Sequence, residues 1–173
     1  LAGAGTNTAA LAFGGESPGT SLLGVTEKWN GTSWTEVADL NLARPTLAGA
    51  GTNTAALAFG GAPGTKNETE LYNGTSWTEV NNLNTGRNTL AGCGATNTAA
   101  LAFGGYTGGT SALTETWNGT NWTETSDMGT ARYFLAGCGT NTAALAIGGY
   151  TNTAVSSVEE FNDPSIITKT LTS

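Results

Sequence analysis

Short apolar runs separated by glycine, asparagine and threonine recur along the whole chain. Residues 9–13 (Ala-Ala-Leu-Ala-Phe) form one such run, which ends at a Gly-Gly pair. Trp34-Thr35-Glu36-Val37 alternates apolar and polar side chains with the period of two that a half-buried strand requires. Asn30-Gly31 precedes it and predicts a type I′ hairpin turn with two residues at positive φ. Because no helical period continues over about ten residues, the pattern predicts an all-β chain.

The predicted strands are grouped into a unit that occurs four times. The string Thr-Asn-Thr-Ala-Ala-Leu-Ala-(Phe/Ile)-Gly-Gly begins at Thr6, Thr52, Thr96 and Thr140, at intervals of 46, 44 and 44 residues. Each unit consists of four predicted strands, of which the first has only small residues, as the crowded inner strand of a radial sheet requires. A period of about 40–50 residues with four strands is typical of a β-propeller. We therefore predict one propeller array over residues 1–173, with blades at approximately 1–46, 47–89, 90–134 and 135–173.

Four features of each unit resemble the Kelch repeat. They are the Gly-Gly pair after the second strand, the aromatic residue ending the third, the Trp opening the fourth and the Arg before the next unit; in the second unit these are Gly60-Gly61, Tyr72, Trp77 and Arg87. The resemblance implies a Kelch-like propeller, although four blades are fewer than the six or seven usual for the family. Near-identical blades rich in Thr and Asn look like those of phage virion proteins, such as phage tail proteins, and of bacterial surface proteins.

The way in which the array closes is open at this stage. A small four-bladed ring, an arc completed by another chain and a part of a longer array all agree with the pattern. We favour the third, because the units are nearly identical and nothing near Leu1 resembles a capping repeat.

Composition and charge limit the reactions and the partners that can be expected of the chain. The chain has no His, which excludes His-based acid–base catalysis, Ser-His-Asp triads and His-ligated metals. Kelch-type oxidases hold copper through His, so the resemblance does not extend to that activity. A formal net charge of -7 argues against nucleic acid or an anionic membrane as partner, and no apolar run is long enough for membrane insertion. We expect no enzymatic activity, no cofactor and no metal.

Residues present in every unit are interpreted as scaffold, because one ligand rarely needs four copies of a residue. The Gly-Gly pairs fit backbone at positive φ. The outer-strand tryptophans fit the wedge between blades, with a sugar-stacking platform as the alternative reading; they are Trp34, Trp77 and Trp122. Aligned glutamates and the arginine of each unit predict one Glu–Arg pair per blade at the sheet edge; the glutamates are Glu27, Glu70, Glu115 and Glu159.

The two cysteines occupy the inner-strand position that Ala4 and Ala50 hold in the first two units. Cys93 and Cys138 are therefore interpreted as small buried side chains with free thiols, although a disulfide between neighbouring blades remains an alternative.

A ligand site is sought where the units differ. In a propeller, the loop after the second strand and the connection to the next blade lie on one face, and both vary between the units. Binding residues occur preferentially on loops held by a rigid scaffold. The candidate ligand-binding residues on this face are Tyr106, Tyr133, Phe134, Tyr150, Lys66, Asn67 and Asn152. The alternative explanation for the differences between the units is random sequence variation in loops that have no function.

These observations predict a non-enzymatic recognition or assembly module. The expected location is extracellular, on a virion or cell surface, and the expected partner is a protein or polysaccharide surface met by the variable loops. We expect the chain to be part of a larger chain or assembly. The alternative is a purely structural repeat scaffold or spacer within a larger particle or appendage.

Overall fold

The computed structural model describes residues 1–19 and 21–162, and all the regular structure in this part of the chain is β-strand. Three sheets have four antiparallel strands in sequence order, and the fourth has three described strands. The first two blades contain β1 (Ala2–Thr6), β2 (Ala9–Phe13), β3 (Thr26–Trp29), β4 (Trp34–Val37), β5 (Ala48–Gly51), β6 (Ala56–Phe59), β7 (Thr69–Tyr72) and β8 (Trp77–Val80). The last two contain β9 (Ala91–Thr96), β10 (Ala99–Phe103), β11 (Thr114–Trp117), β12 (Trp122–Glu124), β13 (Ala136–Gly139), β14 (Ala143–Ile147) and β15 (Val158–Asn162).

This arrangement confirms the predicted fold class, an all-β chain whose four sheets are arranged as the blades of a β-propeller. The predicted bounds of the second and fourth strands in the first blade agree with β2 and β4. The end of the fourth unit, residues 163–173, lies outside the described residues. In the described segments, no helix has the length and apolarity needed to cross a bilayer.

The hairpin between the third and fourth strands differs from the prediction. Gly31 has a φ of 95°, whereas Asn30 is not among the described residues at positive φ, so the turn is not type I′. The last cross-strand pair is Trp29 with Trp34, which leaves a four-residue loop. The Asn30 side-chain oxygen accepts hydrogen bonds from the backbone N–H groups of Thr32 (2.9 Å) and Ser33 (3.0 Å). This Asx-type turn takes the place of a second positive φ.

Neighbouring blades pack face to face, with β1 against β5, β5 against β9 and β9 against β13. We call the face that a blade turns toward the next blade its leading face, and the opposite one its trailing face. In the first interface, Leu11 and Phe13 of the leading face pack against Ala58 and Trp77 of the trailing face. Burying each large apolar side chain stabilises the fold by about 1.5–3 kcal/mol. The leading-face Leu and Phe positions recur in the next two interfaces.

The outer-strand tryptophans fill these interfaces, as predicted for two of the three. The Phe13 and Trp77 rings lie 5.0 Å apart edge to face, and Trp77 Nε1 donates to Thr26 Oγ1 across the interface. Trp122 has equivalent contacts with the preceding blade. Trp34 is 47% exposed, although Trp77 in the same position is only 5% exposed. The difference arises because no described blade precedes the first one.

The sequence predicted one Glu–Arg pair per blade, and the pairs form for three of the four aligned glutamates, each joining two blades. Arg44, which follows the first blade, pairs with Glu70 of the second at 2.6 Å, and both side chains are buried. Arg87 and Glu115 form an equally buried pair at 2.9 Å, and Arg132 pairs with Glu159, whose side chain is 27% exposed, at 3.0 Å. Glu27, the aligned glutamate of the first blade, is exposed and makes no ion pair with any described residue. Each pair therefore connects a blade to the one before it.

The two ends of the array are open to solvent. Ile147 on the leading face of the fourth blade is 38% exposed, whereas Phe13 and Phe59 in the aligned positions are fully buried. Trp34 is the corresponding exposed residue on the trailing face of the first blade. The described residues therefore form an open arc of four blades.

The cysteines occupy the predicted inner-strand positions and are not joined in a disulfide. Cys93 is buried in the third interface, as predicted, and its thiol lies 3.4 Å from the Thr140 carbonyl oxygen. Cys138 is exposed, contrary to the prediction of a buried side chain, because it lies on the open leading face of the fourth blade.

Candidate functional site

The variable loops and the connections between blades meet at one end of the propeller, as predicted. The second glycine of each Gly-Gly pair donates its backbone N–H to the carbonyl of the next connector arginine: Gly15 to Arg44, Gly61 to Arg87 and Gly105 to Arg132, each at 2.9 Å. These glycines have φ between 105° and 118°, a conformation that other residues rarely adopt. Each loop is therefore fixed to the connector beside it. We call this end of the molecule the variable-loop face.

Backbone pairing between loops and connectors positions three tyrosines on this face. Tyr106, in the loop of the third blade, exchanges two backbone hydrogen bonds with Asn88 of the preceding connector, at 2.8 and 3.2 Å. Tyr150, in the loop of the fourth blade, exchanges the equivalent pair with Tyr133, at 2.8 and 3.1 Å. Because the backbone is held on both sides, ordering these tyrosines on binding costs little conformational entropy.

The rings of four candidate residues form a continuous group, which we call the aromatic cluster: Tyr106, Tyr133, Phe134 and Tyr150. The Tyr133 ring is at its centre, with centroid distances of 5.8 Å to Tyr106, 5.5 Å to Tyr150 and 5.0 Å to Phe134. The two tyrosine pairs are edge to face, the geometry that the ring quadrupole favours. The sequence predicted these residues on one face, and the structure brings them into contact.

Phe134 adopts a conformation that is unusual for a bulky residue. Its φ is 53°, in the left-handed region, and its side chain is 67% exposed. Thr46 and Thr89, the aligned residues of the earlier connectors, have φ of 54° and 52°. The Phe134 N–H donates to the Thr89 carbonyl (3.0 Å) and the Thr89 N–H to the Thr46 carbonyl (2.9 Å). This chain of hydrogen bonds across three connectors maintains a strained backbone and holds an apolar ring in solvent.

The aromatic cluster offers both ring surface and hydrogen-bonding groups to a ligand. Tyr106 and Tyr150 are 38% and 39% exposed. Among the described residues, no side-chain hydrogen bond involves the hydroxyl groups of Tyr106, Tyr133 or Tyr150, so these groups are free to donate to or accept from a ligand. Exposed aromatic rings with polar tips suit a sugar ring or an apolar patch of a protein surface.

The remaining predicted residues are not part of this cluster. The Lys66 ammonium lies 3.7 Å from Glu68 of its own loop, and the Asn67 N–H donates to the same carboxylate. Asn152 is exposed at the turn in which the Thr151 N–H donates to the Thr153 carbonyl. Within the described part of the chain, none of the three makes a ring contact or a hydrogen bond with the four aromatic residues.

Asn88 is a residue of this site that the sequence did not single out. Besides its backbone bonds to Tyr106, it donates its side-chain amide to the Gly64 carbonyl in the loop of the second blade, at 2.6 Å. It therefore links the second and third loops. Its position in a connector that varies between units was the only signal available from the sequence.

No group of three or more Cys, Asp or Glu side chains in the described residues is arranged to hold a metal ion. The chain matches no model of a known protein family, and no curated protein matches its sequence.

Proposed function

We propose that this chain is a non-catalytic recognition module that binds a glycan or a protein surface through the aromatic cluster. The propeller fold is compatible with a binding module, since it holds variable loops on a rigid frame. The observation that carries the proposal is the exposed, contacting group of Tyr106, Tyr133, Phe134 and Tyr150 on the face where the units differ. Random sequence variation in loops without a function does not explain why four aromatic rings are in contact.

The aromatic cluster suits carbohydrate better than a charged metabolite. Its three phenol groups bind polar hydroxyls, its ring faces pack against C–H groups of a sugar, and Lys66 is already engaged by Glu68. The excess of acidic residues disfavours phosphate-rich ligands. We also propose that the chain lies on a virion or cell surface, where polysaccharide and protein partners are both present. We further propose that the blades are Kelch-like, which the positions of the Gly-Gly pair, the Trp and the Arg in each unit support.

The test is binding of the purified chain to an array of bacterial polysaccharides and oligosaccharides. Tyr106→Ala and Tyr150→Ala are each expected to weaken binding about five- to tenfold, which corresponds to about 1–1.4 kcal/mol per ring. Trp34→Ala is the matched control, because Trp34 is also a half-exposed aromatic residue but lies on the trailing face of the first blade. Equal loss in all three variants, or no change in the tyrosine variants, contradicts the proposed site.

A structural scaffold is the second candidate function. It is favoured by the exposed apolar positions at both ends of the arc, Trp34 and Ile147, which are the interface positions of the inner blades. If the tyrosine variants keep every partner interaction while substitutions at the two open faces abolish assembly, the scaffold is the better description.

A further inference from the structure

Each described interface contains one glutamate that receives a segment of the preceding connector. Glu70 Oε2 accepts hydrogen bonds from the Asn41 backbone N–H (2.7 Å) and side-chain amide (2.9 Å), and Glu70 Oε1 pairs with Arg44. Glu115 accepts the same three bonds from Asn84 and Arg87. The segment has Asn three residues before Arg in both cases.

The arginine is also held by the middle strand of the following blade. Arg44 donates to the Ala58 carbonyl at 3.2 Å, and its Cδ passes 3.2 Å from the position that a Cβ on Gly61 would take. A glutamate, a strand carbonyl and a glycine without a side chain therefore form one binding site for arginine at the trailing face of a blade.

The first blade has the same three elements. Glu27 is paired with Ala12 in the strand ladder, as Glu70 is with Ala58. Gly15 has a φ of 118°, against 117° for Gly61. A cavity lies at this position, lined by Leu1, Ala12, Gly15 and Glu27 among others. Within the described residues Glu27 makes no hydrogen bond or ion pair through its side chain.

A second folded copy of residues 1–173 has no arginine to offer to this cavity. The chain has three arginines, and all three are fully buried in interfaces between its own blades. An occupant of this cavity would therefore have to bring an arginine that is not already buried in an interface of its own.

We propose that Glu27, the Ala12 carbonyl and the cavity at Gly15 form a binding site for the arginine of an Asn-x-x-Arg connector, carried by a further blade of this design outside residues 1–173. The carboxylate receives the guanidinium and two N–H groups of the segment, as Glu70 does. The trailing face around Trp34 then takes the leading face of that blade. This site is separate from the aromatic cluster and does not rest on the proposed function.

The first test is titration of the ¹⁵N-labelled chain with a capped synthetic peptide of the chain's own residues 39–46, which contains Asn41 and Arg44. The amide resonances of Ala12, Gly15 and Glu27 are expected to shift at millimolar peptide. Replacing the peptide's Arg by Gln, or introducing Glu27→Gln in the chain, is expected to weaken binding at least tenfold. Glu36→Gln is the matched control, since Glu36 is exposed and faces Glu27 on the neighbouring strand. Shifts that persist unchanged with Glu27→Gln overturn the proposal.

A five-blade chain decides the case in which the free peptide binds too weakly to be detected. It is made by repeating residues 1–46 ahead of Leu1, so that a second Arg44 reaches Glu27. Glu27→Gln at the original position is expected to lower the urea midpoint of this chain as much as Glu70→Gln does. If Glu27→Gln has no effect on the midpoint, the proposal is overturned.

Discussion

Arg44 and Glu70 belong to different blades, are 26 residues apart in sequence, and form a buried ion pair with Nη1 and Oε1 2.6 Å apart. The carboxylate also receives backbone and side-chain N–H groups of Asn41, so its hydrogen-bonding capacity is used within one short segment. A buried ion pair needs such additional bonds to offset the loss of hydration. The pair is thus a specific connection between consecutive blades.

Glu70→Gln is expected to destabilise the chain by about 3–5 kcal/mol, because it leaves the Arg44 charge buried without a counter-charge. Urea unfolding followed by tryptophan fluorescence measures the change. Glu27→Gln is the position-matched control, and a change below about 0.5 kcal/mol is expected because Glu27 is exposed. Similar losses in the two variants would show that the Arg44–Glu70 pair is not the source of the effect.

Trp77→Ala is expected to cost about 3–5 kcal/mol, since it removes a buried ring from the first interface and leaves Thr26 Oγ1 without its donor. Trp34→Ala, at the aligned position of the first blade, is expected to cost about 1 kcal/mol, because that ring is already 47% exposed. The free energies of unfolding of both variants give the comparison. Equal costs would contradict the open trailing face of the first blade.

The two thiols are expected to differ in reactivity. Cys138 is exposed, whereas Cys93 is buried and its pKa is raised to about 12 by burial and, to a smaller extent, by the neighbouring Cys138. Because the thiolate is the reactive form, Ellman's reagent at pH 8 is expected to label Cys138 quickly and Cys93 only after denaturation. Cys138→Ala should remove the fast phase. Two fast thiols in the native chain would contradict the packing of the third interface.

Stability is expected to fall as pH rises through the alkaline range, in part because of Cys93. Its pKa is about 12 in the folded chain, against an ordinary value of 9.0, so between these values the folded chain keeps a proton that the unfolded chain releases. The folded state then binds more protons, and the free energy of unfolding decreases with rising pH. Cys93→Ala introduces the residue that the second blade has at the aligned position, Ala50. It is expected to make the decrease in the free energy of unfolding with pH shallower. An unchanged slope would show that Cys93 is not shielded from solvent.

The sequence was sufficient to predict the strands, their grouping and the face that holds the aromatic cluster. Apolar runs ending in Gly-Gly, as in residues 9–15, depend on local backbone preferences that repeat with the unit. The Asn30-Gly31 turn was predicted incorrectly because the Asn30 side chain, rather than a second positive φ, closes the loop. Local composition does not distinguish these two solutions.

Contacts between blades were harder to predict from the sequence. Trp34 and Trp77 have nearly the same sequence neighbours but very different exposure, which depends on whether another blade is present. The partner of Arg44 depends on the direction in which its side chain leaves the connector. An alignment of the units does not show that direction. Contacts among Tyr106, Tyr133 and Tyr150 likewise arise from pairing between a loop and the connector of the preceding blade.

The open arc also determines how stability is distributed along the chain. Four blades are joined by three interfaces in the described structure, so a terminal blade is supported from one side and an inner blade from two. In such a linear array, folding free energy is a sum of terms for each unit and each junction between neighbours. Local opening is then least costly at the ends, and amide hydrogen exchange should be slowest in β6 and β10, the middle strands of the inner blades. Cooperativity in the described array is therefore expected between neighbouring blades rather than across all four blades at once.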